Sequence, residues 1–296
     1  MQRQNIAYSA VLFLTAAIWG FSFVAQRAGM EYVGPYTFNG IRFALGSISL
    51  IPLFIFSVRK NKKADLKKIN TQIWPKALFL GIVLFIAASL QQIGMQYTTA
   101  ANGGFITSLY VIFVPLFSIF LRKHIQLSVW VGASLAVLGL YFLSIQSDFS
   151  LGWGDTLVLV SAIFWAIHVL LIGRYAPQGS IILLSIIQFA TTSILSLSVA
   201  FFTEIIEWQS IKDAAIPIIY GGVFSVGIAY TLQVFVQKKV AAEQAAIILS
   251  FESAFAMLGG YLLLNETLSL RSLVGATLML VGIIISQINW KIKKQL

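Results

Sequence analysis

Ten apolar runs, each about as long as a bilayer is thick, follow one another along this chain of 296 residues and leave almost nothing over. Read coarsely, they cover 6–26, 35–57, 74–96, 101–121, 128–146, 154–173, 181–203, 214–237, 244–264 and 271–289. An α-helix rises 1.5 Å per residue, so about 20 apolar residues cross a hydrocarbon core of about 30 Å. Most linkers are under about ten residues, the size of simple helix–helix connections, and no soluble domain remains. The runs do not alternate apolar and polar residues, which excludes a transmembrane β-barrel. Only 10% of the residues are charged, against about 25% in a soluble domain, so lipid must be most of the solvent. The predicted fold class is an all-α polytopic membrane protein with ten transmembrane helices.

A net charge of +10 would suit nucleic acid, but its distribution does not. With both ends on one side, that face collects 16 of the 20 Lys and Arg, including the run "RKNKKADLKK" at 59–68. The opposite face holds Arg27, Lys212 and Arg271, and the acidic residues Glu31, Asp148, Asp155, Glu204, Glu207, Asp213 and Glu266. The positive-inside rule then places both termini in the cytoplasm, and no nucleic-acid partner is expected. Cysteine is absent and the two histidines, His124 and His168, are far apart, so no metal site or cofactor is expected.

Shifting the chain on itself exposes a repeat. At a shift of 141, "LQQIGMQYTTAA" (90–101) lies over "TLQVFVQKKVAA" (231–242), with Gln92 on Gln233 and Gly81 on Gly222. At 146, Trp19 meets Trp165 and "IRFA" (41–44) meets "IQFA" (187–190); at 143, Gly139 meets Gly282. Small loop insertions account for the drift. Two halves, 1–147 and 148–296, carry five spans each. An odd number makes the second copy enter the membrane from the other side, so the fold is two inverted five-helix repeats. That architecture belongs to transporters, with the substrate near the midplane where the halves meet.

The motifs "AAIWGFSFV" (16–24), "IRFALGS" (41–47), "LYVIFVPLFSIFLRKHIQLSVWVGASLAVLGL" (109–140), "GDTLVLVSAIFWA" (154–166) and "LSFESAFAMLGGYLLLNETLSLRSLVGATLMLVGIII" (249–285) run almost the length of the chain. In order and spacing it resembles the EamA-type members of the drug/metabolite transporter superfamily. Where that family often has Pro after the membrane glutamate and a Gly-Glu pair at the end of the ninth helix, this chain has Ser253 and Asn265-Glu266. The resemblance implies a bacterial inner-membrane protein, monomer or homodimer, that moves small metabolites such as amino acids.

Apart from tyrosines, three ionisable side chains fall well inside the runs: Arg42, His168 and Glu252. A charge at the bilayer centre costs about 2.5–3.5 kcal/mol on insertion scales, so each needs a reason. Counting residues from the span ends places Glu252 about 12 Å and His168 about 9 Å from the cytoplasmic side, and Arg42 about 10 Å from the outer one. A buried carboxylate beside an imidazole can exchange a proton near neutral pH, the chemistry a proton-coupled transporter uses. A bridge from Glu252 to Arg42 or His168 that merely ties helices together is the competing reading, and Arg42 has the further option of snorkelling outward.

Trp19, Ser22, Gln91, Gln92, Asn102, Tyr110, Trp165, Gln188, Tyr230 and Gln233 lie around the same level and are the expected pocket walls. The repeat sets Glu252 over Tyr110, so the carboxylate is an asymmetry on a symmetric scaffold. Pro115 is expected to kink the fourth helix.

"GWGD" (152–155) fits the motif of an intramembrane aspartyl protease, but no span interior holds the second aspartate that chemistry needs. Asp155 at a helix start is expected to cap it. Neither HExxH, nor a Walker loop, nor GxSxG is present, so the chain does not read as an enzyme. The expected function is a secondary transporter working by alternating access, an exporter of amino acids or related amphipathic compounds with protons as a possible co-substrate. An uptake permease or an uncoupled facilitator is the alternative within transport; a membrane enzyme or scaffold is the one outside it.

Overall fold

A computed structural model describes residues 2–60, 63–122, 124–144, 152–265, 269–286 and 288. Eight helices are long and apolar enough to cross a membrane: α1 (Ile6–Gly29), α2 (Pro35–Arg59), α3 (Gln72–Gly94), α4 (Ala100–Phe120), α6 (Trp153–Gln178), α7 (Ile181–Thr203), α8 (Ala215–Gln237) and α9 (Ala242–Leu264). Two shorter apolar helices, α5 (Leu127–Phe142) and α10 (Leu273–Ser286), complete the ten expected from the sequence. The C-terminal lysines, Lys62, Lys123, Asp148 and Glu266 lie outside the described residues.

The packing obeys the repeat. Helix α3 lies against α6 and α7, and its mate α8 lies against α1 and α2; α1 packs on α9 as α6 packs on α4. Three interfaces, α2 with α7, α4 with α9 and α5 with α10, pair a helix with its own repeat mate. At the last of these the backbones nearly touch. A Cβ on Gly132 would stand 2.7 Å from the carbonyl oxygen of Gly282, and one on Gly282 would stand 2.7 Å from that of Gly132. Only glycine allows such an approach, and in lipid this close packing supplies the attraction that the hydrophobic effect cannot.

Helices α4 and α9 are both broken at mid-membrane. The first stops at Ser108 and restarts at Tyr110; the second stops at Leu249 and restarts at Glu252. At each break the backbone tightens to bonds spanning three residues, Leu109 N–H to Ile106 O and Phe251 N–H to Ile248 O, both 3.2 Å. Pro115 does not set the position of this kink. The tightening precedes it by six residues, and α9 breaks at the equivalent place with Met257 where α4 has proline. The two breaks touch: Ser108 Oγ donates to Ser250 O, its repeat mate, at 3.0 Å.

Helix ends at the face opposite the termini are tied by side chains. Glu204 accepts both Tyr36 N–H and Thr37 N–H at 2.8 Å, so a carboxylate of α7's end caps α2. Arg27 reaches the end of α3 through Met95 O and Gln96 O. Asp155 caps its own helix through Gly152 N–H and takes the hydroxyl of Thr98 at 2.7 Å. Helix α8 differs from its mate α3 in running as a π-helix from Tyr220 to Tyr230. Such wide turns are rare and gather at functional sites.

Candidate functional site

A narrow cleft sits where α1, α2, α3, α4, α6, α8 and α9 converge. Its walls include Trp19, Ser22, Arg42, Gln91, Tyr110, Trp165, His168, Tyr230, Gln233 and Glu252. All ten are among the residues expected from the sequence. Its volume is about 30 Å³, so it admits water-sized occupants only. A metabolite enters only if the helices move apart.

Glu252 reaches the cleft because α9 breaks beside it: it is the first residue of the second segment, as Tyr110 is in α4. It is 3% exposed, with Tyr110 and Ser108 as its near polar neighbours. Neither its Oε1 nor the Tyr110 hydroxyl has a protein hydrogen-bond partner in good geometry.

Arg42 is 2% exposed, so it does not snorkel. Its Nε donates to Asn39 Oδ1 at 2.9 Å, and Asn39 is itself fixed by donating to Ala88 O at 3.0 Å. The guanidinium carbon lies 5.5 Å from the Phe38 ring and 5.0 Å from the Phe43 ring. Among the described residues Arg42 and Glu252 form no ion pair, although both face one cleft. Tyr230 stands within electrostatic range of each. Its ring meets Trp19 at 4.6 Å, Trp165 at 6.0 Å and His168 at 6.1 Å between centroids, so it is the hub of the aromatic wall.

The remaining polar groups divide into two sets. One set is committed to the scaffold. Trp165 Nε1 donates to Gln91 Oε1 at 2.6 Å, and Gln91 Nε2 to Gln26 Oε1 at 3.1 Å, linking α6, α3 and α1. Trp19 Nε1 donates to Ser225 O on the π-helix at 3.2 Å. His168 Nε2 pairs with Gln188 Oε1 at 3.0 Å rather than with Glu252. The other set is uncommitted: the hydroxyls of Ser22 and Thr107 and both polar atoms of Gln233 have no hydrogen-bond partner in good geometry, and the Tyr110 hydroxyl has only Glu252 nearby. Each unpaired buried polar atom costs about 1–3 kcal/mol, and these line the same cleft.

Three expected residues stand back from it. Gln188 touches the cleft only through His168, and Gln92 donates to the Gln26 carbonyl at 3.3 Å. Asn102 is half-buried at the start of α4, its N–H held by Thr99. The sequence reading missed Gln26, Thr107 and Ser225. Gln26 was within reach, because 19, 22, 23 and 26 form one helical stripe. Glu243 was also missed: it fell one residue outside the expected ninth span, yet it is buried and takes a hydrogen bond from Ser118.

The EamA-like transporter family matches residues 7–145 and again 152–287, once for each half. The chain belongs to that family. It is a multi-pass membrane protein and a transporter, as the family is. A transporter of Archaeoglobus fulgidus, described as uncharacterized, is 31% identical over 278 residues, spanning 93% of this chain and 83% of its own length. The uncharacterized transporter YoaV of Bacillus subtilis is 24% identical, over 94% of this chain and 95% of its own. A solved crystal structure shares the fold with a TM-score of 0.76 at 16% identity, covering 95% of this chain and 96% of that one.

Proposed function

We propose that this EamA-family protein exports amino acids or related amphipathic zwitterions across the bacterial inner membrane, with Glu252 carrying the coupling proton. The observation that carries the reading is a buried guanidinium and a buried carboxyl, Arg42 and Glu252, which share a cleft without pairing. Burying two charges and leaving them apart is costly, and a ligand bearing both signs repays each: its carboxylate to the guanidinium fork, its ammonium to Glu252. Trp19, Trp165 and Tyr230 give the apolar body an aromatic wall. When the cleft is empty, a proton on Glu252 removes the uncompensated charge. Proton and substrate ammonium then compete for one carboxylate, which is how an antiporter couples them.

The halves 1–147 and 148–296 rock against each other about the touching breaks of α4 and α9, opening the cleft to alternate faces while both termini stay cytoplasmic. Ser22 and Gln233 supply directional contacts, and the Tyr110 ring stands in the wall. His168 holds the α6 wall through Gln188, with Gln92 bracing α1 from behind.

Reconstitution in liposomes tests this. Flux of apolar amino acids is expected to rise when a pH gradient is imposed across the vesicle. Flux that ignores the gradient for every substrate removes proton coupling, and no amino-acid flux at all removes the substrate class. In cells, expression should protect against toxic amino-acid analogues; sensitisation would mean uptake instead.

A further inference from the structure

At the face that carries the start of α1 and the end of α10, the end of α4 and the start of α5 enclose an open groove of about 390 Å³ lined by Ile119, Arg122, His124, Ile125 and Trp130. Arg122 holds an unusual backbone. The helix ends with Leu121 N–H on Phe117 O at 3.2 Å and Arg122 N–H on Ile119 O at 2.8 Å, leaving Arg122 in the left-handed region at φ 55°. That position favours glycine, because a Cβ crowds the following carbonyl. The left-handed residue that ends α9 at the opposite face, Asn265, has φ 57° and is a residue type that tolerates the conformation. The same backbone therefore ends both broken helices, and only at the end of α4 does it carry a long cation. A charge that merely sets topology acts from any position in a short loop, so topology alone does not call for Arg at the strained one.

We propose that this groove binds the phosphate of an anionic glycerophospholipid from the adjoining leaflet. The guanidinium fork matches two phosphate oxygens, and the His124 imidazole offers a further N–H. Trp130, one turn into α5, lines the groove with an indole, a group that favours headgroup depth, and Ile119 and Ile125 provide apolar surface for the glycerol and first methylenes. Arg122 lines the groove from its αL position at the end of α4. A lipid here would hold the α4–α5 corner against the membrane plane. The proposal rests on membrane embedding and not on the transport chemistry of the cleft.

Full-length protein in nanodiscs of phosphatidylcholine, titrated with phosphatidylglycerol and read by native mass spectrometry, tests it. Wild type is expected to retain phosphatidylglycerol at least about tenfold over phosphatidylcholine. Arg122→Gly and His124→Ala should each cut that retention several-fold, with Arg122→Lys between, since an ammonium lacks the fork. Arg122→Gly should also melt no lower than wild type in lipid-free detergent, which separates lost binding from lost folding. Equal retention of the two lipids, or unchanged retention in Arg122→Gly and His124→Ala, overturns the site. Displacement of the lipid by millimolar inorganic phosphate would reassign the groove to a free anion and overturn the lipid reading. Glu252→Gln should retain phosphatidylglycerol as wild type does, so failure of the transport reading leaves this result standing.

Discussion

Helices α4 and α9 are the same device built twice. Both break at mid-membrane, both restart on a side chain facing the cleft, and both end on a left-handed residue. One restarts on Tyr110, the other on Glu252. The same contrast recurs around the pseudo-axis: Arg42 in α2 stands where α7 has Gln188, and His168 in α6 where α1 has Ser22. A symmetric backbone fits the proposed alternating access, in which two inverted halves exchange conformations, each taking the other's shape as the access side switches. On the proposed reading the charges are not symmetric because one binding site between two halves has room for one cation and one anion. The shared backbone thus defines the motion, and the residues that break the symmetry define the chemistry.

Substitutions that restore the symmetry should therefore abolish function while sparing the fold, and their effects should rank by charge. The largest is expected for Glu252→Gln, which keeps shape and removes both the proposed ammonium partner and the proposed proton site. Flux in liposomes should fall by more than about tenfold, and the remainder should no longer respond to a pH gradient. Arg42→Gln, which copies Gln188, comes next. A hydrogen bond to a charged group is worth about 1.5–3 kcal/mol, so KM for an amino acid should rise by about tenfold or more. The ratio of flux with and without the gradient should persist, because Glu252 remains. If Arg42→Gln loses that ratio as well, the two charges act as one unit and the division of labour between the halves is wrong.

A backbone prediction separates scaffold from chemistry. Gly20 of α1 lies against α9, where a Cβ would collide with Phe255 Cβ and stand 2.6 Å from the Glu252 carbonyl oxygen. Gly20→Ala should destabilise the protein by about 1–3 kcal/mol, as overpacking does, and lower its melting midpoint in detergent. An unchanged midpoint would show that α1 and α9 can separate at little cost.

The fold was legible in the sequence because each of its determinants is linear. Span length, spacing of the Gly132 and Gly139 class, and the internal repeat need no three-dimensional information. Residues of the cleft were legible where one polar group interrupts an apolar run, as Glu252, Arg42 and His168 do. What stayed hidden depended on contacts. The partner of His168 is Gln188 and not Glu252, a choice made by how α6 meets α7. The bend in α4 looked like the work of Pro115, yet it belongs to Leu109, because the touching of Ser108 and Ser250 needs both helices broken at one level. The π-helical stretch of α8 carries no sequence mark beyond its glycines, although it presents the Ser225 carbonyl to Trp19.

His168 should matter less than the charges. It faces the cleft but its Nε2 is spent on Gln188, so it positions the α6 wall instead of meeting Glu252. His168→Ser, which copies Ser22, removes one hydrogen bond worth about 0.5–1 kcal/mol, and flux should fall by about two- to fivefold. Gradient dependence should survive. Its loss would place His168 in the proton path beside Glu252, and the pairing with Gln188 would then be only one of its states.

The smallest effect is expected at Tyr110, the residue symmetry sets opposite Glu252. Its hydroxyl is buried beside Glu252 without a hydrogen bond in good geometry, so Tyr110→Phe removes a buried polar atom that is poorly satisfied. Stability should hold or rise slightly, and flux should change by no more than about twofold. The ring keeps its place in the wall because phenylalanine preserves its shape. A loss as deep as that of Glu252→Gln would mean that the phenol and the carboxylate hold the proton or the substrate jointly across the pseudo-axis. The two breaks would then be a matched pair in chemistry as well as in backbone, and the contrast between the halves would shrink to Arg42 and His168.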